Sequence, residues 1–153
     1  MLVFCGKCAL ETQGDMDAVV APLKELSREA QRAHVTLGFE NTIKAADALR
    51  VLDRVGSNSL KIYYDIGNAT NLYGEEPARA IRDIGRDRIC QFHFKDKGYL
   101  GEGKVDVRAA LDAIGEIGWK GSIVLETGAP SGNAEADLAR NLAYLRKVHD
   151  SRM

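Results

Sequence analysis

The sequence is poor in several features that mark specialised classes of protein. Cysteine occurs 3 times in 153 residues, and an odd number would leave one thiol unpaired in a secreted protein. No apolar run approaches the ~18 residues that a membrane-spanning helix needs. The few apolar residues before Lys7 fall short of the roughly 7–15 that a secretory signal contains. We therefore expect a cytoplasmic protein.

An excess of charge of either sign is also absent. The chain has 21 Lys and Arg against 22 Asp and Glu, a formal net charge of −1. That balance gives no electrostatic reason to expect nucleic acid or an anionic membrane as a partner. Hydrophobic residues make up 45% and charged residues 28%, which excludes a disordered or collagen-like chain. The length predicts a single domain over residues 1–153 with a sizeable core.

Short apolar runs alternate with helical patterns along the chain. The strand-like runs lie at 2–4, 34–40, 60–65, 89–94 and 121–126. Apolar residues spaced three and four apart predict helices over 15–33, 45–55, 78–84, 107–117 and 134–148. Strands that are separated by helices run parallel, because a hairpin cannot join parallel neighbours. The pattern predicts an α/β fold of about five parallel strand–helix units.

The later strand-like runs each carry a residue that is costly to place in an apolar core. These residues are Glu40, Asp65, His93 and Glu126. Because the strands run parallel, we expect all of them at the same edge of the sheet. Carboxylates gathered there repel one another unless a cation neutralises them, and carboxylate with imidazole suits Mn²⁺, Mg²⁺, Co²⁺ or Zn²⁺. Taken singly, each acid could equally be a solvated loop residue or a helix cap, and the histidine a hydrogen-bonded core residue.

Short segments around these residues form a wider pattern. They read GFEN (38–41), YDIGN (64–68), FHFKD (92–96), LGEGKVD (100–106) and VLE (124–126). Together they resemble the sugar phosphate isomerase/epimerase family of xylose-isomerase-like barrels, and the likeness extends over nearly the whole chain. The most specific part is the string His-Phe-Lys-Asp followed by Leu-Gly-Glu-Gly-x-Val-Asp.

The resemblance implies both a metal site and a reaction. It implies that a divalent ion is held by Glu40, Asp65, His93 and Glu126. It further implies that the two glutamates act on a sugar or sugar phosphate from opposite faces and move a proton next to a carbonyl, through a metal-bound enediolate. The activity would be that of a sugar isomerase or epimerase. Asn68 and Lys95, just past their strand ends, are candidates to bind substrate oxygens, although both could be solvent-facing loop residues.

The chain is too short for the complete barrel that the resemblance implies. An eight-stranded barrel needs ~250 residues, so we expect a partial (β/α)8 TIM barrel. Its units would correspond to the fourth to eighth of the barrel, truncated on the N-terminal side. Such a sheet has two unpaired edges. A second copy could close it, loops or helices could cover the gap, or the chain could be part of a longer protein.

Other functions compete with the isomerase hypothesis. An inosose-type isomerase or dehydratase would use the same metal and enolate chemistry. A catalytically inactive half-barrel could bind only metal or a partner. A three-zinc DNA-repair endonuclease needs more ligands than 3 histidines provide and a basic surface. Cys5-Gly-Lys-Cys8 has the spacing of a redox pair, but its context favours a simple strand–helix loop.

Overall fold

Strands and helices alternate along the chain in a computed structural model that describes residues 1–151. The strands are β1 (Leu2–Phe4), β2 (Leu37–Asn41), β3 (Leu60–Asp65), β4 (Ile89–Phe94) and β5 (Ile123–Leu125). The helices are α1 (Gln13–Arg32), α2 (Ala45–Val55), α3 (Asn68–Tyr73), α4 (Pro77–Ile84), α5 (Val107–Glu116) and α6 (Ala134–Asp150). The last two residues of the domain predicted over 1–153 lie outside the described residues. Among the described helices, none has both the length and the apolar content to cross a membrane.

The strands form one parallel sheet in the order β1-β2-β3-β4-β5. Each strand is thus joined to its spatial neighbour through a helical crossover. Right-handed crossovers in an unreversed order place the helices on one face of the sheet, as in a TIM barrel. Within residues 1–151 the sheet does not close, because β1 and β5 each pair on one side only. The predicted partial barrel of five parallel units is confirmed.

The helix ends follow local sequence rules. The Thr12 hydroxyl accepts a hydrogen bond from the Asp15 N–H, and the Asp15 carboxylate accepts one from the Thr12 N–H, a reciprocal cap that starts α1. Helix α2 ends at Gly56, whose φ of 67° lies in the left-handed region that glycine adopts at little cost. Pro77 occupies the first turn of α4, where its missing N–H has no intrahelical partner to lose. Helix α2 has the bounds that the sequence predicts, and α4 begins at Pro77, one residue before the predicted range 78–84.

Three elements differ substantially from the sequence prediction, while the ends of α1, α5 and α6 differ from it by one or two residues. Helix α3 (Asn68–Tyr73) was not predicted, because its 6 residues are too few to show a period. Strand β2 begins at Leu37 rather than at residue 34, since His34 has a positive φ of 54° and ends the preceding helix. Strand β5 is only 3 residues long. Its ladder nevertheless continues past Leu125, because the Glu126 N–H donates to the Phe94 carbonyl at 3.1 Å.

Alternate strand residues build the core beneath the helices. Phe39, Phe92 and Phe94 are fully buried. The ring of Phe92 meets the indole of Trp119 edge to face, with centroids 4.8 Å apart. Because side chains alternate between the two faces of a strand, the strand residues next to these aromatics point to the opposite, helix-free face. Glu40 and His93 are among them, so the packing of the core fixes which face carries the polar edge.

We predict that Phe92→Ala lowers the free energy of unfolding by about 3–5 kcal/mol, because it removes a buried ring and leaves a cavity. Urea unfolding followed by the fluorescence of Trp119, the 1 tryptophan of the chain, measures this. Leu26→Ala is the matched control, because Leu26 is 45% exposed, and it should shift stability by no more than ~0.5 kcal/mol. Equal losses in the two variants would contradict this description of the core.

Candidate metal centre

The carboxyl ends of four neighbouring strands bring polar side chains together. The side chains are those of Glu40 in β2, Asp65 in β3, His93 in β4 and Glu126 just after β5. One ligand atom from each lies within 4.8 Å of the others. The structure therefore brings together the whole set of side chains that the sequence predicts to share one cation. Asn68 and Lys95 lie beside the same edge.

A β-bulge is what places Asp65 on the same face as His93. Ile62 pairs with Ile89, but Tyr63 pairs with Gln91, so Cys90 is the extra residue of β4. Without this shift Asp65 would lie opposite Phe92, whose side chain packs in the core. With it, Asp65 lies directly opposite His93. A one-residue change of register moves every following side chain to the other face, so the bulge is required for the site.

Glu40 and His93 form the buried end of the cluster. Glu40 is 3% exposed and His93 5% exposed. The Nδ1 atom of His93 lies 3.1 Å from Oε1 of Glu40 and 3.6 Å from Oε2 of Glu126. The other carboxylate oxygen of Glu40, Oε2, is buried without a hydrogen-bond partner. A buried, unpartnered carboxylate oxygen is costly, so the donor set fits a divalent cation that would satisfy it.

Asp65 has one oxygen committed to the backbone and one that faces the cluster. Its Oδ1 accepts hydrogen bonds from the N–H groups of Gly67 at 2.7 Å and Asn68 at 3.0 Å. Burial raises the pKa of Asp65 to about 6, against the opposing effects of Lys95 and these N–H donors. Removing the carboxylate from water is thus only partly compensated by its neighbours.

Lys95 pairs with two of the predicted ligands. Its Nζ lies 2.8 Å from Oδ2 of Asp65 and 2.5 Å from Oε2 of Glu126. Burial alone would lower the pKa of Lys95, but its close ion pairs with the two carboxylates raise it above its usual range. Partial burial would likewise raise the pKa of Glu126, but the Lys95 ammonium outweighs that effect and lowers it. Glu126 therefore stays ionised at neutral pH.

The side chain of Asn68 makes a hydrogen bond to the backbone of a neighbouring strand. Its Nδ2 donates to the carbonyl of Asn41 at 3.1 Å, which ties the end of β3 to the end of β2. This bond uses one of the two N–H donors of the Asn68 side-chain amide. The substrate-binding role predicted for Asn68 and Lys95 remains a prediction.

Two residues of the site escape sequence reasoning. The ring of Tyr63 meets the imidazole of His93 edge to face, with centroids 4.3 Å apart. The position of Tyr63 two residues before Asp65 was the available clue, since such residues share a face. Gly67 lies so close to β4 that an added Cβ would be 2.7 Å from the carbonyl oxygen of Lys95. The glycine therefore permits the turn after Asp65 to touch the backbone of Lys95.

Helix α6 holds the two loops that follow β4 and β5. The buried carboxylate of Asp137 accepts hydrogen bonds from the Tyr99 hydroxyl at 2.7 Å and from the Ser131 N–H at 2.9 Å. Tyr99 lies in the loop after β4 and Ser131 in the loop after β5. Asp96 organises the first of these loops further, because its carboxylate accepts from the Val105 N–H at 3.0 Å. The segments that carry Lys95 and Glu126 are thus anchored from outside the site.

The cysteine motif stays apart from this cluster. Cys5 and Cys8 are exposed free thiols around the short 3₁₀ turn Gly6–Cys8. The candidate metal-ligating group found among residues 1–151 contains neither of them. The strand–helix loop that the sequence favours here is what the structure has.

A family model described as a xylose isomerase-like TIM barrel matches residues 6–148. The chain therefore belongs to the family of xylose isomerase-like TIM barrels, as its short segments indicate. It is 30% identical over 128 residues to a D-psicose 3-epimerase of Enterocloster bolteae, and this match covers 76% of this chain and 41% of that protein. It is 29% identical over 144 residues to a probable L-ribulose-5-phosphate 3-epimerase of Mycoplasma pneumoniae, covering 84% and 45%.

The fold also matches solved structures. The structure of a D-allulose 3-epimerase from Methylomonas sp. superposes with a TM-score of 0.76 over 90% of this chain and 57% of that one, at 18% identity. At that identity the match shows a shared fold. The chain spans about half the length of the curated relatives it matches.

The raised pKa of Asp65 makes a prediction about metal-free stability. The folded-state pKa of about 6 exceeds the ordinary value near 4 of an unfolded chain. The stability that this group contributes is therefore present at low pH and is lost as pH rises through about 4 to 6. Asp65→Asn has no proton to release over this range. In the presence of a chelator, its free energy of unfolding relative to that of wild type should therefore rise by about 3 kcal/mol between about pH 4 and pH 7.

Urea unfolding at a series of pH values checks this difference. Asp87→Asn is the matched control for the change of an aspartate to asparagine, because the Asp87 side chain is 85% exposed. A pH-independent difference for Asp65→Asn would contradict the description of Asp65 as a poorly compensated buried acid.

Proposed function

We propose that this chain carries the catalytic centre of a divalent-metal-dependent sugar, or sugar phosphate, epimerase or isomerase. The observation that carries the proposal is the cluster of Glu40, Asp65, His93 and Glu126 at the carboxyl edge of a parallel sheet. In barrels of this kind that edge is where reactions take place. The names of the relatives, a D-psicose 3-epimerase and a probable L-ribulose-5-phosphate 3-epimerase, support a sugar substrate and an isomerase.

The cation would be held by Glu40, Asp65, His93 and Glu126. Carboxylate oxygens and an imidazole nitrogen suit Mn²⁺, Mg²⁺, Co²⁺ or Zn²⁺. When bound, the ion supplies Lewis-acid stabilisation of the negative charge that develops on sugar oxygens. The buried Oε2 atom of Glu40, which has no hydrogen-bond partner, supports this role for the cluster.

Glu126 and Glu40 are the proposed proton carriers. The lowered pKa of Glu126 keeps its carboxylate ionised, as a general base must be. One carboxylate takes the proton from the carbon next to the carbonyl, and the C–H electron pair moves into an enediolate. The other glutamate, in its protonated carboxylic acid form, donates its proton to that carbon from the opposite face, which gives an epimer and leaves the first glutamate protonated. Return to the neighbouring carbon instead gives an aldose–ketose isomerisation.

Asn68 and Lys95 are the proposed contacts to substrate oxygens. Lys95 places its ammonium within 2.5 Å of Oε2 of Glu126, beside the proposed base. Asn68 sits at the start of α3, where its N–H already binds Asp65 at 3.0 Å. Both residues therefore flank the reacting groups without belonging to the ligand set.

The domain organisation is part of the same proposal. We propose that residues 1–153 are one xylose-isomerase-like barrel domain that lacks the N-terminal units, in a cytoplasmic enzyme with neither nucleic acid nor membrane as partner. Strands β1 and β5 leave backbone groups unpaired along two edges, and association of two copies would cover them. Sedimentation equilibrium tests this association, and a stable monomer of 16.7 kDa would contradict it.

Proton exchange tests the catalytic proposal directly. With Mn²⁺ and a ketohexose such as D-psicose in deuterated water, the chain should incorporate deuterium next to the carbonyl, followed by NMR. Glu126→Gln and Glu40→Gln should each reduce the rate by about 10²–10⁴-fold, because a neutral amide cannot accept the proton. Glu29→Gln is the matched control, since Glu29 lies exposed on α1 and the same change should leave the rate unaltered.

A chelator tests the contribution of the metal separately from that of the two glutamates. We expect a chelator to remove the exchange activity and added Mn²⁺ to restore it. Exchange that persists in chelator, or in both glutamine variants, would contradict the proposed function.

A further inference from the structure

The Lys95 ammonium lies among the carboxylates that would hold the cation. Its Nζ is 2.8 Å from Asp65 and 2.5 Å from Glu126. Only 27% of its side chain is exposed, so this is an ion pair set partly inside the protein rather than a contact between two mobile surface groups. A partly buried pair of this kind is screened much less than a surface pair.

The ammonium and a metal ion would need the same oxygen of Asp65. The Oδ1 atom is already committed to the N–H groups of Gly67 and Asn68, at 2.7 and 3.0 Å. That leaves Oδ2 as the oxygen available to a cation, and Oδ2 is the atom that Lys95 contacts. On Glu126, Lys95 likewise contacts Oε2, the oxygen that lies 3.6 Å from Nδ1 of His93.

The backbone that leads into Lys95 is held in the sheet, whereas the Lys95 side chain is free to rotate. The carbonyls of His93 and Phe94 accept hydrogen bonds from the N–H groups of Ile66 and Glu126, each at 3.1 Å. The lysine side chain is a flexible four-carbon stem with a compact charge, so rotation about its bonds is the open route. Charge balance favours a rotation that keeps the ammonium nearby, because one ammonium plus one divalent ion match the formal charge of the three carboxylate side chains in the cluster.

We infer that Lys95 is the resident counter-ion of the metal-free centre, that a divalent cation displaces it from Asp65 and Glu126, and that the released ammonium then faces the substrate. The inference rests on the proposed function for the identity of the entering ion. It makes Lys95 a competitor for the metal as well as a contact for the sugar.

Metal affinity provides the first test, with Mn²⁺ alone and isothermal titration calorimetry. Lys95→Met keeps the length of the side chain and removes its charge. Because a competing state lowers the apparent affinity by the fraction that it occupies, Lys95→Met should bind Mn²⁺ at least about tenfold more tightly than wild type. Lys95→Arg restores the charge and should return the affinity towards wild type. Lys104→Met, an exposed lysine on the same loop, should match wild type.

Chemical labelling of amines provides a second test that needs no activity. In chelator, Lys95 should react slowly with an acetylating reagent, because both of its ion-pair partners hold it. With saturating Mn²⁺ its acetylation, measured by peptide mass spectrometry, should become several-fold faster, whereas the exposed Lys97 and Lys104 should be unchanged. A lysine that only stabilises the fold would show no such acceleration. Unchanged or slower labelling of Lys95 with metal would overturn the inference.

The outcomes separate this inference from the proposed function. If wild type and Lys95→Met bind Mn²⁺ equally, the inference fails and the metal centre stands. If only Lys95→Met binds, the inference stands and the proposed metal-dependent function fails for this chain. If neither protein binds, both fail.

Discussion

Repulsion between like charges is the constraint around which this site is organised. Glu40, Asp65 and Glu126 converge on one point with His93, and a pair of like charges at about 4 Å costs about 4 kcal/mol near a protein surface. The neighbouring groups compensate this repulsion to a different extent for each carboxylate. Asp65 receives two backbone N–H donors, and Glu126 receives an ammonium. The buried Oε2 of Glu40 receives no hydrogen bond, which leaves a place for a cation.

The sheet holds these charged side chains in place, because Glu40, Asp65 and His93 lie in strands and Glu126 directly follows β5. Helices cover one face with Phe39, Phe92 and Phe94 beneath them, so the polar residues have only the opposite face available. The bulge at Cys90 adjusts the register so that Asp65 and His93 share that face. Asp137 then anchors the loops that leave β4 and β5, so both the sheet and helix α6 position the site.

Much of this could be predicted from the sequence, because it depends on local patterns. Helix α2 and its end at Gly56 follow from periodicity and from a glycine that adopts a left-handed φ. The convergence of Glu40, Asp65 and Glu126 follows from the parallel strand order together with the family resemblance, since strand ends meet at one edge.

What sequence reasoning missed depends on contacts between distant residues. The bulge at Cys90 has no turn residue to mark it, and Tyr99 meets Asp137 across 38 positions of the chain. Lys95 was predicted as a substrate contact because it lies just past the end of its strand. Its ion pairs with Asp65 and Glu126 depend on the bulge and on the close approach of Gly67, neither of which a one-dimensional pattern contains.

The most direct test of the central claim is a crystal structure of the protein grown with Mn²⁺, with the ion located by its anomalous scattering. The account predicts one peak within bonding distance of Glu40, Asp65, His93 and Glu126, with the Lys95 ammonium turned away from Asp65. A peak elsewhere on the molecule, or one that contacts no more than two of these side chains, would contradict it.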